Sequence, residues 1–441
     1  MPVADIESLD HEGRGIARAA GKTVFIEGAL PGETVEYEIL RGKPNYDLAR
    51  ALRIIHASAQ RTEPRCPHFG LCGGCSLQHL EPSAQTAVKQ RVMEDAFLRI
   101  ARLKPGIIHP AITGPVWGYR YRARLGARRA PGRPGMLIGF HEKRSSYIAD
   151  LGVCPVLPPE LSAMLPALHE LAAGLSIAER VPQIEIAVGE SPAGGLETIL
   201  VFRHLLPFSS ADLARLAAFG QTWRMNIWRQ PGQPESARPL DDDARAATAA
   251  LAYSLPEFAL RLAFRPTDFT QVNIHANRLL IRRAIQLLDP RPGERIADLF
   301  CGLGNFTLPI ARRGAFALGV EGIDALVARA TANARANGLE TRTVFHAANL
   351  FDTSEDSLAA LGPLDKLLLD PPREGAIAVV KALSPRQPPA RIVYVSCNPA
   401  TLARDAAVLV REKGYTLRGA GIANMFPHTS HVETIALFER P

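Results

Sequence analysis

The sequence has no apolar run approaching the length of a membrane span, no internal repeat and no low-complexity block. Its first residues include the acidic Asp5 and Glu7, whereas a secretory signal peptide opens with a positively charged segment. These absences argue against a membrane or secreted protein, so we expect the chain to act in the cytoplasm. At 441 residues it exceeds one ordinary domain, and two or three domains are expected.

Cysteine is scarce, with six in the chain, and disulfides are rare in the cytoplasm. Three of the six crowd into the glycine-rich stretch from Cys66 through Cys72 to Cys75, and a fourth, Cys154, precedes a proline. The paired C-x2-C units usual in zinc sites are missing, and so is the C-x3-C-x2-C spacing of radical enzymes. Four thiolates suit either zinc or an iron–sulfur cluster, and the remote fourth ligand favours the cluster.

The hydrophobic pattern divides the chain into three parts. Residues 1–60 consist of short alternating segments separated by turns, which predicts a small β-barrel, with or without a nucleic-acid ligand. Residues 61–264 mix strands with helices and contain the four cysteines, which predicts a central α+β domain. In residues 265–441 strands and helices alternate, which predicts a doubly wound parallel sheet and an α/β fold class.

One predicted strand of the central part is rich in arginine. Side chains alternate along a strand, so those of Arg120, Arg122 and Arg124 would share a face, with Trp117 and Tyr119 interleaved nearby. A solvated charged surface is the common alternative, but charges of one sign repel each other without a counter-charge. The net charge of +7 also fits a polyanionic partner. We therefore predict a nucleic-acid-binding face formed by Arg120, Arg122, Arg124, Arg128 and Arg129.

The first strand of the last part runs into a glycine turn containing Gly302 and Gly304. A G-x-G pair is weak on its own, and Thr307 occupies the position where a dinucleotide fingerprint has a third small residue. The second strand ends at Glu321, where such folds bind ribose hydroxyls, and Asp298 adds a carboxylate that would attract a cation. Together these features favour S-adenosylmethionine over NAD.

Two later strands end in side chains with reactive potential. Asp370 opens an Asp-Pro-Pro sequence typical of methyltransferases acting on exocyclic nitrogens, but Arg373 replaces the aromatic residue that usually follows. The next buried strand ends at Cys397, which is either a small core residue or a nucleophile in the crevice beyond the strand ends. Arg373 and Cys397 together favour methylation of carbon. Glu433 would be the proton acceptor, while the two histidines before it fit turn roles better than metal binding.

These motifs resemble those of the RNA uracil-C5 methyltransferase family over nearly the whole chain. Residues 1–60 look like a TRAM domain, and Ser396-Cys-Asn-Pro399 and Pro427-His-Thr-x-His-x-Glu433 match later motifs of the family. The resemblance implies a Rossmann-like methyltransferase domain over 265–441, with Cys397 as nucleophile and Glu433 as base. It implies a structural [4Fe-4S] cluster held by Cys66, Cys72, Cys75 and Cys154. It also implies S-adenosylmethionine contacts at Gln271, Phe300, Asn305, Glu321, Asn349 and Asp370.

Within that family, a TRAM domain together with a cluster is the layout of enzymes that methylate large-subunit rRNA, and a dual-site rRNA relative shares it. The resemblance thus implies methylation at C5 of a uridine in 23S rRNA, single-stranded or flipped out of its helix, by a monomer. Two alternatives stay open. One is a relative that methylates a different or second rRNA uridine, and the other is a non-catalytic RNA-binding iron–sulfur protein, which would bind RNA without methyl transfer.

Overall fold

A computed structural model of the chain describes residues 1–19, 21–129, 135–191, 194–240 and 251–440. Its architecture is mixed α/β, which confirms the fold class that the alternation of strand and helix patterns predicts. Within these ranges, every helix is too short or too polar to traverse a lipid bilayer. A small all-β unit is followed along the chain by a central sheet and then by a larger, mostly parallel sheet.

The amino-terminal strands form one sheet whose spatial order is Val3–Asp5, Thr34–Gly42, Tyr46–His56, Lys22–Glu27, Gly15–Ala19 and Ser8–Leu9. The amide of Ile6 donates to the carbonyl of Glu33, and the amide of Glu7 donates to that of Ile16, both at 2.8 Å. One continuous segment, residues 3–9, therefore bonds to strands at opposite ends of the spatial order, which closes the sheet as in a small barrel. Alternate side chains of Lys22–Glu27 are buried, which is the pattern that identifies these strands in the sequence.

The central sheet has the spatial order Arg238–Pro239, Asn226–Gln230, Leu196–Arg203, Gln183–Glu190, Arg122–Arg128 and Leu137–Gly139. Leu200 and Phe202 pack on one side with the helices Pro159–Ala173 and Ser210–Trp223. Ile199 and Val201 pack on the other side, in the core that contains the hairpin of Leu251–Leu255 and Leu260–Phe264. Because both faces are covered, this strand is a continuous hydrophobic run in the sequence.

The large sheet has the spatial order Thr343–Ala347, Phe316–Glu321, Arg295–Leu299, Lys366–Leu369, Arg391–Ser396, Glu433–Glu439, Thr416–Ala423 and Ile107–Ile108. From Thr343–Ala347 to Arg391–Ser396 the pairing is parallel, whereas Glu433–Glu439 runs antiparallel to Arg391–Ser396. The helices of this part are Ile274–Leu288, Thr307–Arg312, Asp324–Ala336, Glu355–Ala359, Ile377–Ala382 and Pro399–Arg411. The parallel strands therefore direct their carboxyl ends to one edge, as the doubly wound prediction requires.

Residues 82–112 pack on the large sheet, although the sequence pattern assigns them to the central part, 61–264. The helix Pro82–Ala96 places Met93 in the core of the large sheet, and Phe97 in the next turn lies in the same core. A short strand later in this segment extends the edge of that sheet. The apolar face of a helix is visible in sequence, but the core against which it packs is not.

Candidate active site

The carboxyl ends of the parallel strands open into one cavity of about 670 Å³, within the usual size range of small-molecule sites. Every residue that we expect to contact the methyl donor lines this cavity, and so do both expected catalytic residues. These residues are Gln271, Phe300, Asn305, Glu321, Asn349, Asp370, Cys397 and Glu433. The structure thus brings the whole predicted set to one place.

Strand direction explains this convergence. The side chains at or just beyond the ends of successive parallel strands are Phe300, Glu321, Asn349, Asp370 and Cys397. Glu433 reaches the same edge from the other direction, because it begins the antiparallel strand in which Thr434 pairs with Ser396. The register of that one strand pair therefore places the carboxyl of Glu433 beside the turn that contains the thiol of Cys397.

Two polar side chains on the donor side of the cavity are already held by hydrogen bonds. One carboxylate oxygen of Glu321 accepts from the amide of Gly302 at 3.0 Å. The amide oxygen of Asn305 accepts from the hydroxyl of Tyr253 at 2.8 Å, and its side chain forms a reciprocal amide pair with Asn277 at 3.1 Å. Both groups are therefore ordered before any ligand binds, which lowers the entropic cost of binding.

The glycine turn closes back on the neighbouring strand. Phe300 has a left-handed backbone, with φ of 67°, and its amide donates to the carbonyl of Val320 at 2.9 Å. Gly302 and Gly304 also have positive φ, which is the conformational requirement behind the G-x-G pattern. The ring of Phe300 lies 5.8 Å, centre to centre, from that of Phe351, and the two form an aromatic wall of the cavity.

Asp298 lies beneath the turn and not in the cavity wall, so its expected role of attracting a cation is wrong. It is completely buried, and its Oδ2 accepts from the hydroxyl of Thr307 at 2.6 Å. Burial raises the pKa of Asp298 to about 8, so the carboxyl is largely protonated at neutral pH. The pair fastens the helix Thr307–Arg312 to the strand, and Glu321 and Asp370 are the carboxyls that face the cavity.

Burial shifts the thiol of Cys397 and the carboxyls of Asp370 and Glu433 towards their protonated forms. Burial, reinforced by Glu433 and Asp370, raises the pKa of the Cys397 thiol to about 11, while Arg373 acts in the opposite direction. Burial followed by the charge of Asp370 raises the pKa of Glu433 well above its ordinary value, and burial raises that of Asp370 to about 7. A cation placed among these groups would favour their ionised forms.

Arg373 joins three pieces of the site. Its guanidinium donates to Nδ1 of His431 at 3.2 Å, since an arginine can only donate. Burial, followed by the charge of Arg373, lowers the pKa of His431 to about 4, so that the ring is neutral and can accept. The carbonyl of Arg373 accepts from the side chains of Asn398 at 3.0 Å and Thr401 at 3.1 Å. The turn after Asp370 is thereby tied to the turn that contains the thiol.

His428 anchors the segment before Glu433. Its ring stacks on Trp117 with centroids 3.8 Å apart, and burial lowers its pKa to about 4. Its backbone is left-handed, with φ of 65°, and its carbonyl accepts from the amides of Ser76 and Leu77, both at 2.9 Å. These contacts give His428 a turn-forming role, as the sequence suggests, and connect the cysteine-rich loop to the segment that leads to Glu433.

The cysteine-rich loop forms a second candidate site. One small pocket is lined by Cys66, Cys72, Cys75 and Cys154, and all four are free thiols. Burial raises the pKa of each of them, to about 11 for Cys75 and about 12 for Cys154. Across the described ranges, no three His, Cys, Asp or Glu side chains converge closely enough to chelate a single metal ion.

Close packing explains the two glycines of this loop. The amide of Gly73 donates to the carbonyl of His141 at 2.8 Å, and a Cβ at Gly73 would come within 2.9 Å of the same oxygen. A Cβ at Gly74 would lie 3.2 Å from the ring of Phe140 and 3.4 Å from the sulfur of Cys72. The loop can therefore approach its neighbour only without side chains at these two positions.

The structure divides the predicted arginine face. The strand begins at Arg122, and Arg120 precedes it with its guanidinium 5.0 Å from the ring centre of Phe140. Arg122 points inward and donates to the carbonyls of Pro266 and Asp268, with 14% of its side chain exposed. Arg122 thus packs between the central and last parts of the chain. Its predicted place in an exposed nucleic-acid-binding face is therefore wrong.

Glu185, on the adjacent strand, supplies a negative charge beside the arginines. The predicted face assumed that these arginines have no such counter-charge. Strand register sets it opposite Arg124, to which its carboxylate bonds at 3.0 Å, and it lies 3.9 Å from Arg122. Arg124, Arg128 and Arg129 remain exposed. Because the two strands are about sixty residues apart, the sequence pattern of one strand gives no sign of this pairing.

A groove of about 500 Å³ adjoins the main cavity and extends to the amino-terminal sheet. Phe426 and His431 line both spaces. The other walls come from residues 12–14 and 27–28 of the amino-terminal unit, from the cysteine-rich loop and from residues 140–144. Its charged residues are Arg14, Arg120, Lys143, Arg144, Glu12, Glu27 and Glu142. The groove therefore connects the small β unit to the candidate active site.

The aromatic residues of the main cavity that are absent from the predicted site include Tyr253, Phe351 and Phe426. Tyr253 belongs to a hairpin before the parallel sheet, and nothing near it in the sequence marks it. Phe351 follows the end of a parallel strand by a few residues, as Asn349 does, so the position of ligand sites beyond strand ends could have pointed to it. Phe426 directly precedes the motif that runs from Pro427 to Glu433.

Comparison with protein-family models gives two matches. Residues 256–441 match the model described as tRNA (Uracil-5-)-methyltransferase. Residues 4–52 match the TRAM domain. The first match covers the part of the chain that holds most of the cavity, and the second covers most of the amino-terminal sheet.

Curated relatives are similar to this chain over its whole length. A protein of Azoarcus sp. (strain BH72) named 23S rRNA (uracil(1939)-C(5))-methyltransferase RlmD is 70% identical over 441 residues, which is 100% of both chains. A protein of the same name from Aromatoleum aromaticum is 69% identical, again over 100% of both. The crystal structure of the Pyrococcus abyssi tRNA (uracil-54, C5)-methyltransferase in complex with S-adenosyl-L-homocysteine has a TM-score of 0.72 at 22% identity. The superposition covers 99% of this chain and 100% of the Pyrococcus abyssi chain, so the two proteins have the same fold.

Proposed function

The chain belongs to the family of RNA uracil-C5 methyltransferases, and from that premise we propose that it methylates C5 of a uridine in 23S rRNA with S-adenosylmethionine as donor. The observation that carries this proposal is the single cavity in which the thiol of Cys397 and the carboxyl of Glu433 meet the predicted donor-binding residues. The full-length relatives support 23S rRNA as the substrate.

The first step activates the uracil ring. C5 of uracil is a weak nucleophile, so the thiolate of Cys397 adds to C6 and forms a C–S bond, which produces an enolate with electron density on C5. Arg373 lowers the pKa of Cys397 and so favours the thiolate. S-adenosylmethionine, when bound, would supply an electrophilic methyl group to C5, and its sulfur would keep the electron pair of the S–CH3 bond as a neutral thioether.

The second step releases the product. Glu433 removes the remaining proton from C5, and the electron pair of that C–H bond restores the ring double bond and expels the sulfur of Cys397 from C6. A raised pKa makes the ionised carboxylate of Glu433 a stronger base, which suits it to this proton. The products are 5-methyluridine, S-adenosylhomocysteine, the free thiolate and a protonated glutamate that must lose its proton before the next turnover.

The residues that would hold S-adenosylmethionine are Gln271, Phe300, Asn305, Glu321, Asn349 and Asp370. The carboxylate of Glu321, at the end of the second strand, suits the ribose hydroxyls of such a ligand. Asp370 provides a negative charge for the cationic part of the molecule. The aromatic wall of Phe300 and Phe351 provides apolar surface for the planar adenine ring.

We also propose that Cys66, Cys72, Cys75 and Cys154 hold a structural [4Fe-4S] cluster. Support comes from the single pocket that the four thiols line and from the cations Arg120 and Lys143, which lower the pKa of Cys72. Sulfurs around one zinc ion stand about 4 Å apart, because each Zn–S bond is about 2.3 Å long, whereas a four-iron cluster spaces its ligands more widely. Metal analysis of the purified protein distinguishes the two, because it measures whether the four thiols hold iron or zinc.

The RNA would approach along the groove that joins the amino-terminal sheet to the cavity. Arg120 lines this groove, and Arg124, Arg128 and Arg129 are exposed for phosphate contacts. The thiol lies in a cavity that a stacked base cannot enter, so the target uridine would be unpaired or flipped out. We assign RNA binding to residues 1–60, cluster binding to 61–264 and methyl transfer to 265–441, in a monomer that acts in the cytoplasm.

Methyl transfer to defined RNA tests this function. The purified protein is incubated with S-adenosylmethionine labelled in its methyl group and with a 23S rRNA fragment that contains either uridine or 5-fluorouridine at the target. We expect label at C5 of ordinary uridine, and a denaturation-resistant protein–RNA complex with 5-fluorouridine, because a base cannot remove fluorine as it removes a proton. RNA binding without any methyl transfer would instead support the non-catalytic alternative.

Mapping of the modified position tests the choice of substrate. Mass spectrometry of 23S rRNA from cells that lack the protein should show the loss of one 5-methyluridine, and reintroduction of the gene should restore it. Loss of two such positions would identify the dual-site relative, and loss from tRNA in place of 23S rRNA would contradict the proposed substrate.

A further inference from the structure

The segment 424–432 connects two antiparallel strands and ends at the carboxyl that faces the cavity. Its backbone is held from outside at four consecutive carbonyls, those of Met425, Phe426, Pro427 and His428. The donors come from four other parts of the chain and are the side chains of Asn273, Lys89 and Tyr119 and the amides of Ser76 and Leu77. A connection of this length would otherwise have many conformations, so these bonds determine which one it adopts.

Gln85 joins this segment to the cysteine-rich loop. Its side-chain oxygen accepts from the amide of His428 at 2.8 Å, and its nitrogen lies 3.1 Å from Nδ1 of the same residue. The same nitrogen donates to the carbonyls of Leu77 at 3.0 Å and Leu80 at 2.8 Å. Gln85 is completely buried, so each of these bonds forms away from competing water.

Lys89 holds the same segment one turn further along the helix. Its amine donates to the side-chain oxygen of Asn424 at 2.7 Å and to the carbonyl of Phe426 at 2.8 Å. Lys89 is only 1% exposed, which is unusual for a lysine, and Asn424 is 2% exposed. A buried amine of this kind is retained only where its hydrogen bonds offset the loss of hydration.

The two residues lie on a rigid support. Gln85 and Lys89 are four positions apart on the helix Pro82–Ala96 and therefore share a face. Met93 and Phe97 continue that face and pack into the core of the large sheet. The helix is thus fixed to the sheet at one end of its buried face and to the segment 424–432 at the other.

We propose that Gln85 and Lys89 are positioning residues for Glu433, and that they set the rate at which the C5 proton is removed and the RNA product is released. This inference rests on the proposed methyl transfer. Phe426 and His431 line the cavity and the adjoining groove, so a shift of the segment would move cavity walls together with Glu433. Cys397 and most donor-binding residues follow other strands, and the contact of the segment with the Cys397 turn runs through the single bond between His431 and Arg373. We therefore expect attack on C6 and donor binding to change much less than proton removal.

The test separates the two chemical steps. The variants Lys89→Met and Gln85→Leu retain side-chain volume and remove the hydrogen bonds. With a 23S rRNA fragment that the wild-type protein methylates, we expect release of methylated RNA to slow about tenfold to a hundredfold, as small misplacements of a catalytic group do. A denaturation-resistant protein–RNA complex should accumulate with ordinary RNA, as expected when Glu433 itself is replaced. The KM for S-adenosylmethionine and the rate of adduct formation with 5-fluorouridine RNA should stay within threefold of wild type.

Matched controls use the same residue types elsewhere. Lys366→Met removes another buried lysine, whose amine bonds Glu294 away from the cavity. Gln90→Leu removes a half-buried glutamine from the helix of Gln85 and Lys89, where its amide bonds Glu94. Both should release product at the wild-type rate. Asn424→Ala, which deletes one acceptor of Lys89, provides a milder variant if the first two do not fold, and a smaller slowing of release is expected from it.

Two results would overturn the inference. One is release at the wild-type rate in all folded variants, and the other is an equal loss of adduct formation and release, which would show a general structural role. The temperature of unfolding of each variant, measured beside the kinetics, shows whether such an equal loss comes from a destabilised protein. Failure of the wild-type protein to methylate any RNA would instead overturn the proposed function and this inference with it.

Discussion

Cysteines occur in two electrostatic surroundings in this chain. Around Cys397, the carboxyls of Glu433 and Asp370 add to burial in raising the pKa of the thiol, and Arg373 partly offsets them. A thiol of this kind is protonated at rest and becomes a nucleophile when the charge around it changes.

The pocket of four cysteines has the opposite surroundings. Arg120 and Lys143 lower the pKa of Cys72 and so favour its thiolate, although burial still raises the pKa overall. Cysteines that bind metal must remain deprotonated throughout the life of the protein, and nearby cations stabilise that state. The comparison predicts that the charges around a thiol distinguish the proposed nucleophile from the proposed cluster ligands.

Replacement of the nucleophile should have the largest effect. In Cys397→Ala no bond to C6 can form, so we expect methyl transfer to fall by at least about 10⁴-fold, the scale seen when other covalent nucleophiles are removed. The denaturation-resistant complex with 5-fluorouridine RNA should disappear, while iron content and visible absorbance stay at wild-type levels. A loss of iron in this variant would mean that the two groups of cysteines are not independent.

Replacement of the base should have the next largest effect and a different signature. Glu433→Gln leaves the thiol able to attack but removes the proton acceptor, so turnover should fall by about 10²-fold to 10⁴-fold. A covalent complex should now persist with ordinary RNA, detected by denaturing electrophoresis with labelled RNA. Rapid turnover by this variant would contradict the assignment of Glu433.

Removal of a cluster ligand should act on stability more than on chemistry. In Cys154→Ser we expect loss of iron and a lower temperature of unfolding, because metal binding contributes directly to folding. Methyl transfer by the remaining folded protein should fall about tenfold, since Ser76 and Leu77, next to Cys75, hold the carbonyl of His428.

Cys301→Ser is the matched control for this variant, because Cys301 is a buried free thiol outside the pocket. We expect it to keep its iron, which metal analysis after anaerobic purification would measure. Zinc in place of iron in the wild-type protein would contradict the proposed cluster.

Much of the cavity could be predicted because its parts are local in sequence. Parallel strands must end at one edge, so Glu321 and Asp370, which come at strand ends, could be placed without coordinates, whereas Asn349 was expected only from the family resemblance. Asp298 shows the limit of this rule. It is at a strand end too, but its side chain turns inward to Thr307, and strand position does not specify side-chain direction at the last residues.

The remainder depends on pairings distant in sequence. Glu185 meets Arg124 through strand register, and Lys89 meets Asn424 across 335 positions. A single sequence contains no signal for such contacts, although Gln85 and Lys89 could have been noticed as polar residues on the face that Met93 and Phe97 continue. Buried polar positions on an apolar helix face need partners, and that rule would have predicted a contact without identifying it.

The smallest effect tests the charges around Cys397 directly. A thiol with a pKa of about 11 is ionised to about one part in a thousand at pH 8, so alkylation by iodoacetamide should be slow there and should increase up to pH 11. Glu433→Gln removes a carboxyl whose ionised form raises this pKa, so alkylation at pH 8 should become about threefold to tenfold faster.

Arg373→Gln removes a positive charge that lowers the same pKa, so alkylation of Cys397 should become slower by a similar factor. Mass spectrometry of the peptide that contains Cys397 separates its reaction from that of the other thiols. Opposite shifts in these two variants would confirm that neighbouring charges control the thiol. If both substitutions changed the rate in the same direction, or if wild-type Cys397 titrated near pH 8.5 as an ordinary thiol does, burial and charge would not have the balance that the structure indicates.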